Sequence, residues 1–194
     1  MSLRMVLASA SPRRRELLEM LKIENLEIIP AKGEETADET LPPDELVCVL
    51  SRQKAQEVYE RTEGREDCTF IGSDTIVYLD GKVLGKPADK ADAKEMLRSL
   101  SGRSHMVYTG VTVIAHGKTI SEAEETKVFF RDLSDDEIDA YIATGEPMDK
   151  AGAYGAQGIA SLFVERLEGD FFNVMGLPIC RLGAMLKKLG VNLL

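Results

Sequence analysis

The sequence is poor in the residues that build disulfide frameworks and histidine- or cysteine-based metal sites. Its 194 residues include three cysteines, two histidines and no tryptophan. Cys48, Cys68 and Cys180 are odd in number and widely spaced, which argues against a disulfide framework or a zinc site. Two histidines are too few for a typical histidine-based site. A metal in this chain would therefore be a hard cation held by oxygen atoms, such as magnesium.

Long apolar runs are also missing. No stretch approaches the ~20 consecutive apolar residues that a membrane-spanning helix needs. Residues 1–6 lack the apolar region and the small-residue cleavage site of a signal peptide. We therefore expect a cytoplasmic protein without a membrane partner. The balance of 44% hydrophobic and 29% charged residues is ordinary for a globular protein.

An excess of positive charge is absent as well. The chain has 24 Lys and Arg against 33 Asp and Glu, for a net charge of −9. Binding to nucleic acid depends on neutralising many phosphates, and the sequence has no aromatic and basic platform for single strands. We expect no nucleic-acid partner. A small anionic substrate remains compatible with this charge if basic residues gather in a local pocket.

Strand-like and helix-like patterns alternate along the chain. The patterns predict strands at 5–8, 25–30, 70–78, 105–115, 119–130 and 162–167, and helices at 12–22, 46–59, 89–100, 134–143 and 178–189. Asp80-Gly81 and His116-Gly117-Lys118 predict hairpins, which are antiparallel. Interleaved helices and strands with hairpins indicate an α/β fold with a mixed sheet.

The first candidate site is the passage from strand to helix at residues 9–15. Ser11-Pro12 is typical of a helix start, and Arg13, Arg14 and Arg15 follow at once. Cations there oppose the helix dipole, at roughly 0.3–1 kcal/mol each when exposed. Free N–H groups and forked guanidinium groups together favour a phosphate ligand. The alternative is a solvated basic face, to which Arg15 is the best suited, because three successive side chains cannot share one direction.

This segment is not a P-loop, since the pattern G-x-x-x-x-G-K-[ST] is absent. Residues 81–87 resemble it only in passing, because the spacing is short and Pro87 replaces the hydroxyl residue. Lys86 in this stretch and Lys54 on the second predicted helix are ordinary surface charges when taken singly. In a pocket they would screen a triphosphate.

The second candidate is Asp74, which interrupts an apolar strand. Alternation places Gly72 and Asp74 on one face and Ser73 and Thr75 on the other. A carboxylate in mid-strand is costly to bury without a partner. It is either exposed at a strand end, or a metal ligand, or a general base that activates water.

The third candidate is the glycine-rich segment 145–158, which the sequence predicts to be a loop. Its glycines suit close approach to a ligand, although a plain connector is the alternative. Gln157 offers both a donor and an acceptor, which fits recognition of a base edge.

Together these segments resemble the Maf family of nucleotide pyrophosphatases, related in fold to the inosine-triphosphate pyrophosphatases. The likeness spans essentially the whole chain, as one Maf-like domain over 1–194, and rests on motifs at 7–14, 72–75, 84–87, 100–105, 146–158 and 176–178. It implies a long mixed sheet flanked by helices, with two lobes around a cleft. The family likeness alone suggests a homodimer, and no sequence feature identifies an interface.

The resemblance also implies a reaction, in which a nucleoside triphosphate and water give the monophosphate and pyrophosphate. It implies a divalent cation, with Mg2+ expected and Mn2+ or Co2+ as alternatives. By motif match, Asp74 would accept the proton and bind metal. Glu35 would be a second metal ligand, with Glu34 as the alternative. The phosphate-binding residues would be Ser9, Arg14, Lys54 and Lys86.

Three positions separate the branches of this family. Arg13, Thr75 and Gln157 match the branch acting on dTTP and UTP, whereas the branch preferring 7-methyl-GTP has an aromatic residue, Gln and Glu there. We therefore expect a house-cleaning enzyme that removes unwanted or modified pyrimidine nucleotides. The alternative is a nucleotide-binding regulator of septum formation and cell division without significant turnover.

Overall fold

The structure, a computed structural model, describes residues 4–33, 36–38 and 40–194. Strands β1 to β7 are Arg4–Leu7, Asn25–Ile28, Cys68–Leu79, Lys82–Leu84, Ser104–Ala115, Lys118–Phe130 and Val164–Glu168. Helices α1 to α6 are Pro12–Met20, Pro43–Arg61, Lys90–Leu100, Asp135–Ala143, Phe171–Met175 and Ile179–Lys188. Short 3-10 turns lie at Arg65–Asp67, Glu146–Asp149, Ala151–Ala153 and Ile159–Leu162.

The seven strands form one sheet, in the order β2-β1-β3-β5-β6-β7, with β4 paired to β3. β1 runs parallel to both β2 and β3, whereas β4 is antiparallel to β3 and β7 is antiparallel to β6. The predicted mixed sheet is thus confirmed. Both predicted hairpins are also present, and Asp80, Gly81, His116 and Gly117 have the positive φ angles that tight hairpin turns require.

Two glycines allow helix α2 to lie close against the sheet. A Cβ atom on Gly72 of β3 would lie 2.3 Å from the carbonyl oxygen of Ser51. A Cβ atom on Gly110 of β5 would lie 2.1 Å from the carbonyl oxygen of Val47. Only glycine avoids such clashes at both places, so these two residues set the distance between α2 and the strands beneath it.

The chain divides into two compact units, in agreement with the two lobes that the resemblance implied. The first unit is Met1–Asp74, Thr109–Glu124 and Gly176–Leu194, and the second unit is Thr75–Tyr108 and Glu125–Met175. Each has its own buried apolar cluster. The first includes Val6, Ala55, Val58, Phe70 and Ile114, and the second includes Leu97, Leu100, Val107, Val128 and Ile138. The assignment of 1–194 to a single domain stays a prediction.

Some boundaries differ from the predicted ones. Helix α2 begins at Pro43 rather than at residue 46, because proline suits the first helical position and Asp44 and Glu45 complement the helix dipole. The predicted loop 145–158 contains two 3-10 turns. A third, Ile159–Leu162, ends where the strand predicted at 162–167 begins, and the strand itself is Val164–Glu168. Helix α5 was not predicted. Ser134 forms the predicted capping box with Glu137, whereas among the described residues the Ser11 hydroxyl makes no capping hydrogen bond.

Candidate active site

The end of β1 presents Ser9 to the start of helix α1. β1 pairs with β3 so that Leu7 lies opposite Ile71, and the Ala8 N–H donates to the Ile71 carbonyl at 2.8 Å. Ser9 is only 7% exposed. Its Oγ accepts from the Ser11 N–H and from Nη1 of Arg14, both at 3.2 Å. Two of the predicted phosphate-binding residues, Ser9 and Arg14, are therefore in direct contact.

A backbone carbonyl links Arg14 to strand β3. Nε of Arg14 donates to the Gly176 oxygen at 2.8 Å, and the Ser73 hydroxyl donates to the same oxygen at 2.9 Å. Ser73 is fully buried, and Gly176 has a positive φ of 105°. Sequence reasoning assigned no role to Ser73 or Gly176, although both lie in motifs that carried the family resemblance. The carbonyl connects the candidate phosphate-binding arginine to the residue next to Asp74.

Asp74 of β3 forms an ion pair with Lys54 of helix α2. The Lys54 Nζ lies 2.5 Å from Oδ1 of Asp74, and the two side chains are only 14% and 12% exposed. Gly72 faces α2 as well, since its nearest neighbours are Ser51 and Ala55 of that helix. This confirms the predicted shared face of Gly72 and Asp74. Because Asp74 is buried, the alternative of an exposed carboxylate at a strand end does not apply. Lys54 is the charged partner that a buried carboxylate needs.

The three successive arginines point to different surroundings. Arg15 pairs with Glu19 at 2.6 Å, and its side chain is 59% exposed. It belongs to the solvated face of α1, as predicted. Arg13 and Arg14 are half-buried. Only Arg14 of this trio is seen to contact Ser9 and Gly176, so the described contacts separate Arg14 from its neighbours.

Three further predicted site residues, Thr75, Lys86 and Gln157, lie in the second unit. Thr75 is half-buried on β3, directly after Asp74, while Lys86 and Gln157 are exposed. The Gly152 N–H donates to the Gly85 carbonyl at 3.0 Å. Gly152 thereby joins the glycine-rich segment to the turn that carries Lys86. A Cβ atom on Gly152 would lie 2.9 Å from a methyl of Val77, which explains why a glycine stands there.

The carboxylate of Glu146 closes the loop that bears Gln157. Oε1 accepts from the Tyr141 hydroxyl at 3.0 Å, and Oε2 accepts from the Ile159 N–H at 3.1 Å. A Cβ atom on Gly158 would lie 2.2 Å from Oε1, so any larger residue there would displace the carboxylate from its present position. The two ends of the segment are thus held together by one side chain. A buried or loop-closing role for Glu146 had no signal in the sequence beyond its place in the motif.

A buried histidine anchors the middle of the same loop. Nε2 of His105 lies 2.7 Å from the Tyr154 hydroxyl, and both rings pack edge-to-face with Phe130. Burial lowers the pKa of His105 to about 4 and raises the pKa of Tyr154 above its usual range. Nδ1 of His105 has no hydrogen-bond partner among the described residues. The neutral pair fixes Tyr154 inside the apolar cluster of the second unit.

Comparison with known proteins assigns the chain to a family. A family profile described as "Maf-like protein" matches residues 4–189. The chain belongs to the Maf family. Proteins named "dTTP/UTP pyrophosphatase" from Bacillus anthracis (strain CDC 684 / NRRL 3495) and Bacillus cereus (strain AH187) are each 48% identical to it over 189 residues. Each alignment covers 97% of this Maf-like chain and 97% of the relative.

Solved structures overlap with the Maf-like chain more distantly. A nucleoside-triphosphatase / dITP/XTP pyrophosphatase from Mycobacterium abscessus has a TM-score of 0.41 and 13% identity. A HAM1 protein from Coxiella burnetii has a TM-score of 0.43 and 18% identity. Each overlap covers 66% of this chain and 73% of the other.

The Maf-like chain was expected to bind a divalent cation through Asp74 and Glu35. Glu35 lies outside the described residues. Within 4–33, 36–38 and 40–194, no three His, Cys, Asp or Glu side chains gather as a metal cluster would. Magnesium is commonly held by one or two carboxylates together with substrate phosphates, so Asp74 fits as one such ligand. No helix in the described part of the chain is long and apolar enough to cross a membrane.

Proposed function

We propose that this Maf-like chain hydrolyses nucleoside triphosphates to the monophosphate and pyrophosphate, with dTTP and UTP as preferred substrates. The observation that carries the proposal is the buried ion pair of Lys54 with Asp74. Beside it in the sequence, Ser73 shares the Gly176 carbonyl with Arg14, which also contacts Ser9. The names of relatives that are 48% identical over almost the full length support the same reaction.

The chemistry of the substrate explains why these residue types are needed. A triphosphate carries about four negative charges, so catalysis depends mainly on positioning and neutralising charge. In this proposal Arg14 and Ser9 bind phosphate oxygens as a forked guanidinium and a short hydroxyl can. Lys54 and Lys86 add compact positive charges. The carboxylate of Asp74 orients the attacking water and accepts its proton.

A divalent cation, when bound, supplies further neutralisation of the phosphate charge. We propose Mg2+, held by Asp74 and Glu35 with substrate phosphates completing its ligands, and Mn2+ or Co2+ as replacements. Carboxylate oxygens are the ligands that these hard cations take. Metal removal by a chelator is expected to abolish pyrophosphate release, and full activity without any divalent cation would contradict this part of the proposal.

Substrate preference is assigned to Arg13, Thr75 and Gln157. Gln157 is exposed and the other two are half-buried, so part of each residue is accessible to solvent. The Gln157 amide can pair with the donor and acceptor edge of a pyrimidine. The proposal further places the protein in the cytoplasm as a homodimer that acts on free nucleotides rather than on nucleic acid or membranes. The net charge of −9 supports the absence of a nucleic-acid partner.

The test is a pyrophosphate-release assay over canonical and modified triphosphates with Mg2+, Mn2+ and Co2+. We expect the fastest release from dTTP and UTP. Asp74→Asn should keep the fold and lose turnover by at least about a hundredfold, because the amide does not accept the proton. The control is Asp139→Asn. This substitution also neutralises a carboxylate that pairs with a lysine, Lys94, but Asp139 lies on the exposed face of α4.

Each outcome of this assay bears on a separate part of the proposal. Full turnover by Asp74→Asn would remove Asp74 from catalysis. Equal rates with GTP and UTP would overturn the preference while leaving the reaction. Nucleotide binding without turnover, across all substrates and metals, would favour the regulator of cell division instead.

A further inference from the structure

We propose that Ser73 is a positioning residue, which aims the Arg14 guanidinium at phosphate through the carbonyl of Gly176. The inference rests on the phosphate-binding role proposed for Arg14. The Gly72-Ser73-Asp74 and Gly176-Leu177-Pro178 motifs both contributed to the family resemblance, yet Ser73 and Gly176 have no part in the proposed reaction itself. The hydrogen bond between Ser73 and Gly176 suggests a role for both residues.

Ser73, the Gly176 carbonyl and Arg14 form a hydrogen-bonded bridge. A carbonyl oxygen has two lone pairs, and the Gly176 oxygen accepts from Ser73 Oγ at 2.9 Å and from Arg14 Nε at 2.8 Å. On its other side the guanidinium donates through Nη1 to Ser9 at 3.2 Å. Two fixed acceptors, Gly176 and Ser9, therefore hold the planar group in one orientation. Such preorganisation lowers the entropic cost of binding a ligand.

Ser73 is the anchor of this bridge because it lies inside a rigid strand. It is fully buried on β3, between Gly72, which is packed against α2, and Asp74. Gly176 has a φ of 105°, a conformation that favours glycine, and the next residue, Leu177, is fully buried. The carbonyl direction is thus set by the backbone at Gly176 and by the hydrogen bond that it accepts from Ser73.

A purely structural serine would behave differently. If the hydroxyl only satisfied a buried carbonyl, its loss would lower stability and leave phosphate affinity unchanged, since Arg14 still donates to the same oxygen. A positioning residue changes affinity as well, and it does so only when Arg14 is present. The two cases are separated by a double-mutant cycle.

The experiment is calorimetric titration of the full chain with inorganic pyrophosphate in the presence of magnesium. This measures phosphate binding independently of turnover. We expect Ser73→Ala to weaken pyrophosphate binding by roughly fivefold to tenfold, the upper part of the range for one hydrogen bond between neutral groups. In an Arg14→Ala background, the same change should alter affinity by less than about twofold.

Ser51→Ala is the matched control. Ser51 is another fully buried serine of the first unit, and its hydroxyl contacts the Cys48 carbonyl and Thr112. We expect it to lower the melting temperature but to leave pyrophosphate affinity unchanged. Should Ser73→Ala fail to fold, Ser73→Cys keeps the size and a weaker donor, and an intermediate loss of affinity is expected.

Three results would overturn the inference. The first is unchanged affinity in Ser73→Ala or in its cysteine substitute. The second is an equal loss of affinity with and without Arg14, which would mean that Ser73 does not act through it. The third is no pyrophosphate binding by the wild-type chain. A chain that binds pyrophosphate with this pattern but hydrolyses no triphosphate would support the bridge and refute only the proposed reaction.

Discussion

Replacing Gly72 by alanine should damage both the stability and the chemistry of the first unit. The added Cβ would lie 2.3 Å from the Ser51 carbonyl oxygen and 2.8 Å from both Cβ and N of Ala55. Ordinary contacts of this kind are well above 3 Å, and the neighbours are helix backbone and a short side chain, neither of which can rotate away. Helix α2 must therefore move away from β3.

The cost follows from the severity of the overlap. Overpacking of a tight core typically costs about 1–3 kcal/mol, and contact with backbone on two residues places this site at the upper end. A chain of this size loses about 2–4 °C in melting temperature per kcal/mol, so a loss of about 2–3 kcal/mol corresponds to roughly 4–12 °C. Because Lys54 is on α2 and Asp74 is on β3, the shift also lengthens their 2.5 Å contact.

The measurements are thermal unfolding and pyrophosphate release at a temperature where both proteins are folded. We expect roughly a tenfold fall in turnover or more, on the order of the loss from a misplaced catalytic group. Gly183→Ala is the control, because among the described residues no atom beyond its chain neighbours and its own helix backbone lies within 4 Å of the added Cβ in helix α6. It should raise stability by about 0.5–1 kcal/mol and leave turnover unchanged. An unchanged melting temperature in Gly72→Ala would refute the packing argument.

Two further predictions concern the second unit. Because burial holds the pKa of His105 near 4 against an ordinary value of 6.5, the unfolded chain binds a proton between these pH values that the folded chain does not. The free energy of unfolding should therefore fall by up to about 3 kcal/mol as the pH is lowered from about 6.5 to about 4. Urea titrations should show a flatter pH dependence in His105→Phe, and the same flattening in the exposed turn variant His116→Gln would contradict the assignment. Glu146→Ala should open the loop, because it removes the carboxylate that accepts from the Tyr141 hydroxyl and from the Ile159 N–H. Faster hydrogen exchange at Ile159 would confirm this, and unchanged protection there would show that Glu146 does not close the loop.

The elements of the fold were largely predictable because their signals are local. Period-two and helical patterns located β3, β5, β6 and most helices, and the dipeptides at both hairpins fixed their turns. The boundaries near 145–168 were not predictable in the same way. There the backbone follows contacts such as Glu146 with Ile159 and Gly152 with Gly85, which join residues far apart in sequence.

In the candidate site, too, local features were predictable from the sequence and contacts between distant residues were not. Alternation along one strand was enough to place Gly72 and Asp74 on a common face. The partners of that strand were not predictable from pattern, since Lys54 is 20 residues from Asp74 and Gly176 is 103 residues from Ser73. A carbonyl acceptor leaves no residue type to recognise, so the bridge to Arg14 became visible only in the structure.

The way the chain threads through its two units limits how this protein can be divided or recombined. The backbone passes between the units at 74/75, 108/109, 124/125 and 175/176, and the first three of these junctions fall within β3, β5 and β6. No single cut in the gene releases either unit intact. A single crossover with a relative therefore cannot exchange the whole second unit, which carries Lys86 and Gln157, and leave the first unit unchanged. Transplanting the second unit would require exchange of both 75–108 and 125–175, with all four junctions preserved.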